Sequence, residues 1–467
     1  MMRKNFSLLA FGMMISLCAT AQHLVSTELM FSWTASQLTL QGVFGAQNGV
    51  SMYKVIYNTT DAHGEPTIAS GAMFVPDLPG CDLPIGVYNH GTVYLKTDVP
   101  SYNSGEALVG RFMGAYGFLG LLPDYLGLGD SPGMHPYVHA DTEASANIDF
   151  IRAAREYCEA ENIALNDQLF ITGYSQGGHA AMATVYEMET NLSEEFTITA
   201  SAPASGPYDL SDIQATPMAS PEPYASPEYA PYVIFSYQHV YGNLFNEPSD
   251  FLISPYDEIL PPMFNGEFSG GEIAAEIPDV PSEIIQPDEL DAFVNDPEHP
   301  LRVALQDNDR YDWAPQHPMR LYYCTADQQV FHENSLFTHA VMIANGAQDV
   351  ELMDSGELDH NACAQPSLFG ILFWFDSLKE ACSGVSVEEL YKTDVNVFPN
   401  PATSMVQVEL THPGTYMLRL VNMSGQTVME DQLQGDRITV QTGHLARGSY
   451  ILALDGDSSF RTVITLR

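Results

Sequence analysis

A short apolar run at residues 169–172 leads directly into Gly173-Tyr174-Ser175-Gln176-Gly177-Gly178, and a helix-like segment follows at residues 179–188. A strand, a G-x-S-x-G turn and a helix in this order are typical of a nucleophile elbow, which raises a serine hydroxyl above the end of a sheet. The glycines are needed because the sharp turn leaves no room for side chains beside the serine. The helix behind the turn directs backbone N–H groups at the same space, which favours negative charge there. This stretch therefore predicts that Ser175 is a catalytic nucleophile.

The segments around this turn predict an α/β fold. Strand-like and helix-like segments alternate from residue 50 to residue 205, and they alternate again after residue 318. Such alternation is typical of a mostly parallel sheet with helices on both faces. Strands are predicted at 51–57, 67–75, 84–89, 115–122, 169–172, 319–325 and 349–353, and helices at 141–161, 179–188, 335–345 and 367–378.

A serine hydroxyl needs a base to take its proton and an acid to orient that base. In a sheet of this kind the acid and the histidine follow the serine along the chain and lie on loops after later strands. Asp327 comes directly after the strand at 319–325, and His360 lies in the loop after the strand at 349–353. We therefore predict a catalytic triad of Ser175, Asp327 and His360.

Other residues near these loops compete for the same roles. His332 is too close to Asp327 in sequence to belong to the next strand's loop, and His339 falls inside a predicted helix. Asp354 and Asp359 are alternative acids, but they share the loop of the histidine. These four side chains stay open as alternatives.

The reaction also needs N–H donors for the oxyanion of the tetrahedral intermediate. One donor is predicted to be the backbone N–H of Gln176, the residue after the serine. The second is predicted in the loop Asn89-His90-Gly91-Thr92, at the backbone of Gly91 and Thr92, because Gly91 allows a close approach to the substrate. Each such donor lowers the barrier by roughly 3–4 kcal/mol.

Several segments resemble the secretory lipase family, the group that contains the fungal lipase A type. They are residues 55–66, the loop Asn89-His90-Gly91-Thr92, the run Pro123-Asp124-Tyr125-Leu126-Gly127-Leu128-Gly129 with His135-Pro136-Tyr137, and the elbow at Ser175, in family order across residues 50–380. The resemblance implies an α/β-hydrolase fold with an inserted lid, hydrolysis of carboxylic esters and the same triad. Under it, Asp124 and Tyr125 are expected to shape the substrate pocket, together with His90 and Tyr174.

Residues 208–317, which we call the lid, have a different composition. They hold 15 of the 30 prolines and 21 acidic residues against only Arg302 and Arg310. Because repeated prolines block long helices and central strands, the lid is predicted to be an irregular insertion rather than core. Its charge suggests the hypothesis that the lid rejects strongly anionic substrates and releases carboxylate products.

The whole chain is acidic, with 17 Lys and Arg residues against 59 Asp and Glu residues and a net charge of −42. This sign repels nucleic-acid phosphates, so nucleic acid is excluded as a general partner. At the start of the chain, Arg3 and Lys4 precede an apolar stretch at 6–17 and the small residues Ala19-Thr20-Ala21. This pattern predicts a secretory signal peptide over residues 1–21.

Five cysteines follow the predicted signal peptide, at 81, 158, 324, 363 and 382. An oxidising compartment permits disulfides, and at least one of the five thiols must stay unpaired within the chain. Cys363 and Cys382 are the nearest pair along the chain. No zinc spacing is present, and Pro136 argues against a helix that would align His135 and His139, so no metal is predicted.

The C-terminal residues 395–467 consist of short alternating stretches with Gly and Asn turns between them, which predicts a small β-sandwich. The segments Val397-Phe398-Pro399-Asn400-Pro401-Ala402, Gly425-Gln426-Thr427-Val428 and Leu445-Ala446-Arg447-Gly448-Ser449-Tyr450 resemble the type A sorting domain of type IX secretion. That resemblance implies export across an outer membrane, with the secretion machinery as a partner. A β-domain that binds carbohydrate is the alternative.

The sequence therefore predicts a signal peptide at 1–21, a catalytic domain at 22–385 and a sorting domain at 393–467. We expect a secreted or surface-bound esterase or lipase that acts on a small ester or lipid, without a cofactor, and as a monomer. A serine peptidase of the same fold that acts on short peptides is one alternative. A surface binding protein whose hydrolase fold is catalytically silent is the other.

Overall fold

The structure is a computed structural model, which describes residues 22–382, 395–422, 427–455 and 459–467. The predicted signal peptide at 1–21 lies outside the described residues, as do Gly425 and Gln426 of the sorting-domain resemblance. In the part of the chain that is described, no helix is both long enough and apolar enough to cross a membrane.

The first part of the chain carries nine strands and thirteen α-helices within residues 22–382. The strands are β1 (Leu24–Trp33), β2 (Val50–Thr60), β3 (Pro66–Pro76), β4 (Leu83–Asn89), β5 (Leu119–Pro123), β6 (Leu165–Tyr174), β7 (Ala200–Ala204), β8 (Met319–Tyr323) and β9 (Val350–Asp354). The helices are α1 (Ala35–Leu40), α2 (Ala107–Ala115), α3 (Ala140–Glu161), α4 (Gln176–Thr190), α5 (Thr216–Ala219), α6 (Tyr229–Tyr241), α7 (Pro248–Phe251), α8 (Tyr256–Ile259), α9 (Gly270–Ala274), α10 (Pro287–Asn295), α11 (Pro300–Asp307), α12 (Glu333–Ala344) and α13 (His360–Leu378).

The nine strands form one mixed sheet in the order β1-β2-β3-β5-β4-β6-β7-β8-β9. The strands from β5 to β9 in this order pair in parallel, while β1, β2, β3 and β5 pair antiparallel. Every residue of β4, β5 and β7 is buried, which is expected when helices cover both faces of a sheet. The predicted α/β-hydrolase class is confirmed, and the structure adds β1 and β7, which the sequence patterns did not predict.

Two local predictions need correction. The strand predicted at 115–122 begins only at Leu119, because α2 extends to Ala115 and Gly117, with φ of 86°, makes the turn between them. His360 was expected in a loop, but it is the first residue of α13, which starts early because the Asp359 side chain accepts a hydrogen bond from the Ala362 N–H.

The lid, which the structure describes throughout, contains no strand and no long helix, as the prolines predict, but it is more regular than expected and has a core of its own. It contains α5 to α11, and these helices share a hydrophobic core that includes Ile234, Phe251, Leu252 and Leu301. The prolines fit this architecture because a proline in the first turn of a helix gives up only an N–H that has no partner within the helix. First-turn prolines begin α5, α7, α10 and α11.

The two ends of the lid are joined at Asp309. Its carboxylate accepts hydrogen bonds from the N–H groups of Leu210 and Ser211 and from the Ser211 hydroxyl. Next to it, the Arg310 N–H donates to the Tyr208 carbonyl at 2.9 Å. Burial raises the pKa of Asp309 from 3.8 to about 6, and the nearby Asp209 carboxylate acts in the same direction.

We expect this carboxyl to make stability depend on pH. Between about pH 4 and 6 the folded chain keeps the Asp309 proton and the unfolded chain has released it, so the free energy of unfolding falls as the pH rises through that window. In urea unfolding at pH 4.5 and pH 8, Asp309→Asn should reduce this fall by roughly 2–3 kcal/mol. Asp212→Asn, which changes an exposed carboxylate nearby, is the control, and equal pH slopes for wild type and Asp309→Asn would contradict the expectation.

The disulfides differ from the pairing that sequence distance favours. Cys81 bonds to Cys382 and Cys324 bonds to Cys363, and the buried Cys158 is the free cysteine of the described residues. Cys363 therefore does not pair with Cys382, although the two are nearest in sequence. The reason is that α13 runs between them and holds their positions roughly 20 Å apart.

The C-terminal residues form one curled antiparallel sheet around a separate core. Its strands within the described residues are β10 (Val395–Phe398), β11 (Met405–Asn422), β12 (Thr427–Gln441), β13 (Gly448–Asp455) and β14 (Ser459–Leu466). The long β11 pairs with β10, β12 and β13, and the enclosed core includes Val408, Leu420 and Leu452. The predicted C-terminal β-domain is confirmed in this form.

Candidate active site

Ser175 stands in the sharp turn between β6 and α4. Its backbone has φ of 62° and ψ of −124°, a strained conformation for a residue with a side chain. A Cβ atom on Gly173 would collide with the Gly177 carbonyl, and one on Gly177 would collide with the Asn89 carbonyl. Both glycines of the G-x-S-x-G pattern are therefore required by the backbone packing of the elbow.

A continuous hydrogen-bonded chain joins the three predicted triad residues. His360 Nε2 lies 2.8 Å from Ser175 Oγ, and His360 Nδ1 lies 2.6 Å from Asp327 Oδ2. All three side chains are buried. Because the carboxylate accepts from Nδ1–H, the lone pair of Nε2 faces the serine hydroxyl, which can donate to it.

Neighbouring groups hold the Asp327 carboxylate and the His360 backbone in place. The second oxygen of Asp327, Oδ1, accepts the N–H groups of Gln329 at 3.0 Å and Val330 at 2.9 Å. The Tyr174 hydroxyl donates to the carbonyl of His360 at 2.6 Å. These bonds fix the carboxylate and the histidine from the sides that do not face the serine.

The competing residues make other contacts. His332 Nδ1 lies 3.4 Å from Glu333, and His339 Nε2 lies 3.2 Å from the Val350 carbonyl. The side chains of Asp354 and Asp359 accept local N–H groups in the turn before α13 and in its first turn. None of the four has a hydrogen bond to Ser175 or to His360.

The three predicted oxyanion donors differ in whether their N–H groups already make a hydrogen bond within the described residues. The N–H groups of Gln176 and Thr92 donate to no atom of the described residues. The Gly91 N–H, in contrast, donates to both carboxylate oxygens of Glu106, at 3.2 Å each. The N–H groups of Gln176, which follows Ser175 in the chain, and of Thr92, which lines the same cavity as Ser175, are therefore free, whereas the Gly91 N–H is occupied by Glu106.

Behind Gln176 lies a buried polar network that the sequence patterns did not indicate. The Gln176 amide lies 3.0 Å from Glu143 Oε1 and 2.8 Å from His135 Nε2. Glu143 Oε2 accepts from His179 Nδ1 at 2.7 Å. His179 Nε2 lies 2.9 Å from the carbonyl of Asn308, at the end of α11 in the lid. The network thus connects Gln176, the residue after Ser175, with the lid.

The two histidines considered as a metal pair are engaged within the protein. Burial lowers the pKa of His135 to about 3, so its Nδ1–H donates to the Leu126 carbonyl while Nε2 accepts from Gln176. His139 Nδ1 lies 3.1 Å from the Thr142 hydroxyl. Among the residues that the structure describes, no group of three His, Cys, Asp or Glu side chains is placed to hold a metal ion.

A cavity of about 460 Å³ opens beside Ser175. Its wall is formed largely by apolar side chains of α2 and α13, and these are Leu108, Val109, Phe112, Met113, Ala364, Leu368, Phe369, Ile371, Leu372 and Phe375. Tyr174 also lines it, as do Gly91 and Thr92. A second, narrower cavity of about 60 Å³ lies on the lid side of Ser175, against Met218 and Val233.

Three of the four predicted pocket residues do not line the larger cavity. His90 is enclosed, with Nδ1 2.7 Å from the Gly91 carbonyl. Asp124 accepts from the Ser70 hydroxyl at 2.6 Å, and the Tyr125 hydroxyl donates to the His90 carbonyl at 3.0 Å. These three side chains are therefore not part of the larger cavity's wall, which differs from the expectation, and the Tyr125 hydroxyl instead contacts the loop at residues 89–92 from outside the cavity.

The Cys324–Cys363 disulfide links the segment that carries Asp327 to the helix that begins with His360. We expect Cys324→Ser with Cys363→Ser to lower the free energy of unfolding by about 2–4 kcal/mol and to lower kcat as well. Cys81→Ser with Cys382→Ser is the matched control, since that disulfide lies outside the triad segments and should change stability alone. Urea unfolding and ester hydrolysis measure the two effects, and equal kcat values for both double variants would contradict the expectation.

Comparison with known protein families identifies the C-terminal part. Residues 396–465 match the family described as the secretion system C-terminal sorting domain. This confirms the predicted sorting domain and implies a protein that is secreted or surface-bound. Comparison with curated protein sequences gives no match.

Solved structures similar to this chain include those of an esterase, a putative hydrolase and a lipase. The rice cell wall degrading esterase LipA from Xanthomonas oryzae, in a ligand-bound form, has 29% sequence identity and a TM-score of 0.68, covering 76% of this chain and 95% of that chain. A putative hydrolase from Legionella pneumophila has 25% identity and a TM-score of 0.71, covering 78% and 100%. Candida antarctica lipase A, in its closed state, shares the fold. It has 16% identity and a TM-score of 0.56, covering 76% of this chain and 84% of that chain. The predicted resemblance to lipase A-type α/β-hydrolases is confirmed at the level of structure.

Proposed function

We propose that this α/β-hydrolase is a secreted serine hydrolase that cleaves carboxylic esters through Ser175, His360 and Asp327. The observation that carries the proposal is the unbroken chain of hydrogen bonds from Asp327 Oδ2 through His360 to Ser175 Oγ, at 2.6 and 2.8 Å. This series of hydrogen bonds ends at Ser175, which stands in a strained elbow beside a cavity. The Ser175 hydroxyl is therefore positioned to attack a bound carbonyl group.

The reaction follows from these positions. Ser175 Oγ attacks the acyl carbon while His360 Nε2 takes its proton, and the carboxylate of Asp327 stabilises the imidazolium that forms. The free N–H groups of Gln176 and Thr92 stabilise the oxyanion of the tetrahedral intermediate. His360 then protonates the leaving alcohol, and a water molecule repeats the cycle on the acyl-enzyme.

The cavities support an ester as the substrate. The larger cavity has the volume of a small-molecule site, and its mainly apolar wall suits an acyl chain. The smaller cavity, against the lid, leaves room for a compact alcohol group. The LipA structures in the comparison are those of an esterase, and Candida antarctica lipase A is a lipase.

Export is the second part of the proposal. The matched residues 396–465 would engage the type IX secretion machinery after the signal peptide at 1–21 has directed the chain out of the cytoplasm. The catalytic domain at 22–385 would then act as a monomer outside the cell or at its surface.

Two other functions share parts of this site. A serine peptidase would use the same triad, and a catalytically silent binding protein would keep the cavity without turnover. Initial rates on p-nitrophenyl butyrate and on an aminoacyl p-nitroanilide separate them with the purified full-length protein. We expect the ester to be cleaved faster by orders of magnitude. Faster cleavage of the anilide would favour a peptidase, and no cleavage of either would favour a binding protein.

A further inference from the structure

The larger cavity beside Ser175 has a single carboxylate among its described lining residues. Glu106, the residue just before α2, lines the cavity, and no other Asp, Glu, Lys or Arg side chain is among its described lining residues. The rest of the wall is mainly apolar or aromatic. A charge in such a space acts more strongly on a group that enters than a charge on the open surface does, because the apolar walls exclude part of the water that would screen it.

The partners of Glu106 leave its charge uncompensated. Its Oε2 atom accepts from the Tyr88 hydroxyl at 2.6 Å, and both oxygens accept from the Gly91 N–H. These donors are neutral, and Glu106 takes part in no ion pair within the described residues. The two hydrogen bonds fix the carboxylate in position without cancelling its field.

The carboxylate also lies close to the proposed reaction centre. A Cβ atom built on Gly91 would lie 3.5 Å from Glu106 Oε1 and 3.7 Å from the Ser175 Cβ. Glu106 and Ser175 therefore border the same small space beside Gly91. An acyl group that occupies the larger cavity would share it with this carboxylate.

We propose that Glu106 selects substrates by charge, favouring esters whose acyl group carries a cation and disfavouring those whose acyl group carries an anion. The selection rests on the ester hydrolysis proposed above. It differs from the hypothesis that the acidic lid repels anions, because that effect would come from the many exposed lid carboxylates, which salt screens, whereas a carboxylate in the cavity wall is screened less.

Two pairs of esters with matched shapes test the selection. Methyl 4-(trimethylammonio)butanoate and methyl 5,5-dimethylhexanoate differ in one positive charge. Monomethyl glutarate and methyl 4-carbamoylbutanoate differ in one negative charge. Titration of the released acid gives kcat/KM for each ester, and the ratio within each pair removes any effect that acts on all substrates alike.

We expect wild type to prefer the cation over its neutral partner and the neutral amide over the anion. Glu106→Gln keeps the side-chain length and an oxygen that can accept from Gly91, and it should move both ratios towards one by about tenfold or more. Glu106→Asp keeps the charge and should keep the direction of both ratios. Glu283→Gln, which removes an exposed lid carboxylate, changes the net charge equally and should leave the ratios as in wild type.

The outcomes separate the role of Glu106 from the ester hydrolysis on which it rests. Wild-type ratios near one, or ratios unchanged in Glu106→Gln, would overturn the role of Glu106 while ester hydrolysis stands. A preference that disappears in high salt and responds to Glu283→Gln would assign the selection to the lid instead. If wild type hydrolyses none of the four esters and no other carboxylic ester, the proposed function itself fails.

Discussion

Ser175→Ala is expected to lower kcat/KM for p-nitrophenyl butyrate by roughly 10⁴- to 10⁶-fold. The substitution removes the one oxygen that His360 Nε2 contacts at 2.8 Å, so no acyl-enzyme can form. The cavity and the free N–H groups of Gln176 and Thr92 remain, and they account for the residual rate. Steady-state hydrolysis of p-nitrophenyl butyrate by purified variant and wild type measures the loss.

The loss must come from chemistry rather than from misfolding. Alanine and serine face the same strain at φ of 62°, so the melting temperature of Ser175→Ala should stay close to that of wild type. Ser335→Ala, which truncates another buried serine, on α12, is the matched control and should keep its activity. Activity of Ser175→Ala within tenfold of wild type, with an unchanged melting temperature, would exclude the serine as nucleophile.

Asp327→Asn is expected to lower kcat by roughly 10⁴-fold, with a much smaller change in KM. The amide keeps the shape of the side chain, but it does not supply the charge that stabilises the His360 imidazolium. Its NH₂ group can also face His360 Nδ1, which would leave the proton on Nε2 and remove the lone pair that takes the serine proton. Steady-state kinetics on p-nitrophenyl butyrate separate kcat from KM.

The alternative acids provide the controls for this variant. Asp354 and Asp359 hold local backbone N–H groups and make no hydrogen bond to His360. Asp354→Asn should leave kcat within a few-fold of wild type, and Asp359→Asn should mainly affect stability by weakening the start of α13. A larger fall in kcat for Asp354→Asn than for Asp327→Asn would show that Asp327 is not the acid of the triad.

The parts of the site that the sequence predicted are those set by local geometry or by the order of the strands. The elbow can be recognised in the sequence because its two glycines are required by close backbone contacts. Gly173 packs against the Gly177 carbonyl, and Gly177 packs against the carbonyl of Asn89 at the end of β4. Asp327 and His360 follow from the rule that ligands and catalytic groups lie at the carboxyl ends of parallel strands. The same reasoning identified Gln176 and the loop of Gly91 and Thr92 as donor positions.

The missed features depend on contacts between distant segments. Glu143 and His179 meet only because α3 packs against α4, and neither residue stands in a motif. Glu106 meets the Gly91 N–H through the packing of the segment before α2 against the oxyanion loop. The short helices of the lid were not predicted, because the number of prolines does not reveal that several of them stand in the first turn of a helix.

Covalent labelling with a fluorophosphonate probe tests the central claim most directly, because the probe reacts with an activated serine and needs no knowledge of the natural substrate. Mass spectrometry of the digested protein should find one adduct per chain, on the peptide that contains Ser175. Ser175→Ala should give no adduct, and His360→Ala should label far more slowly than wild type. Absence of labelling in wild type, or undiminished labelling of Ser175→Ala, would contradict the assignment of Ser175 as the nucleophile.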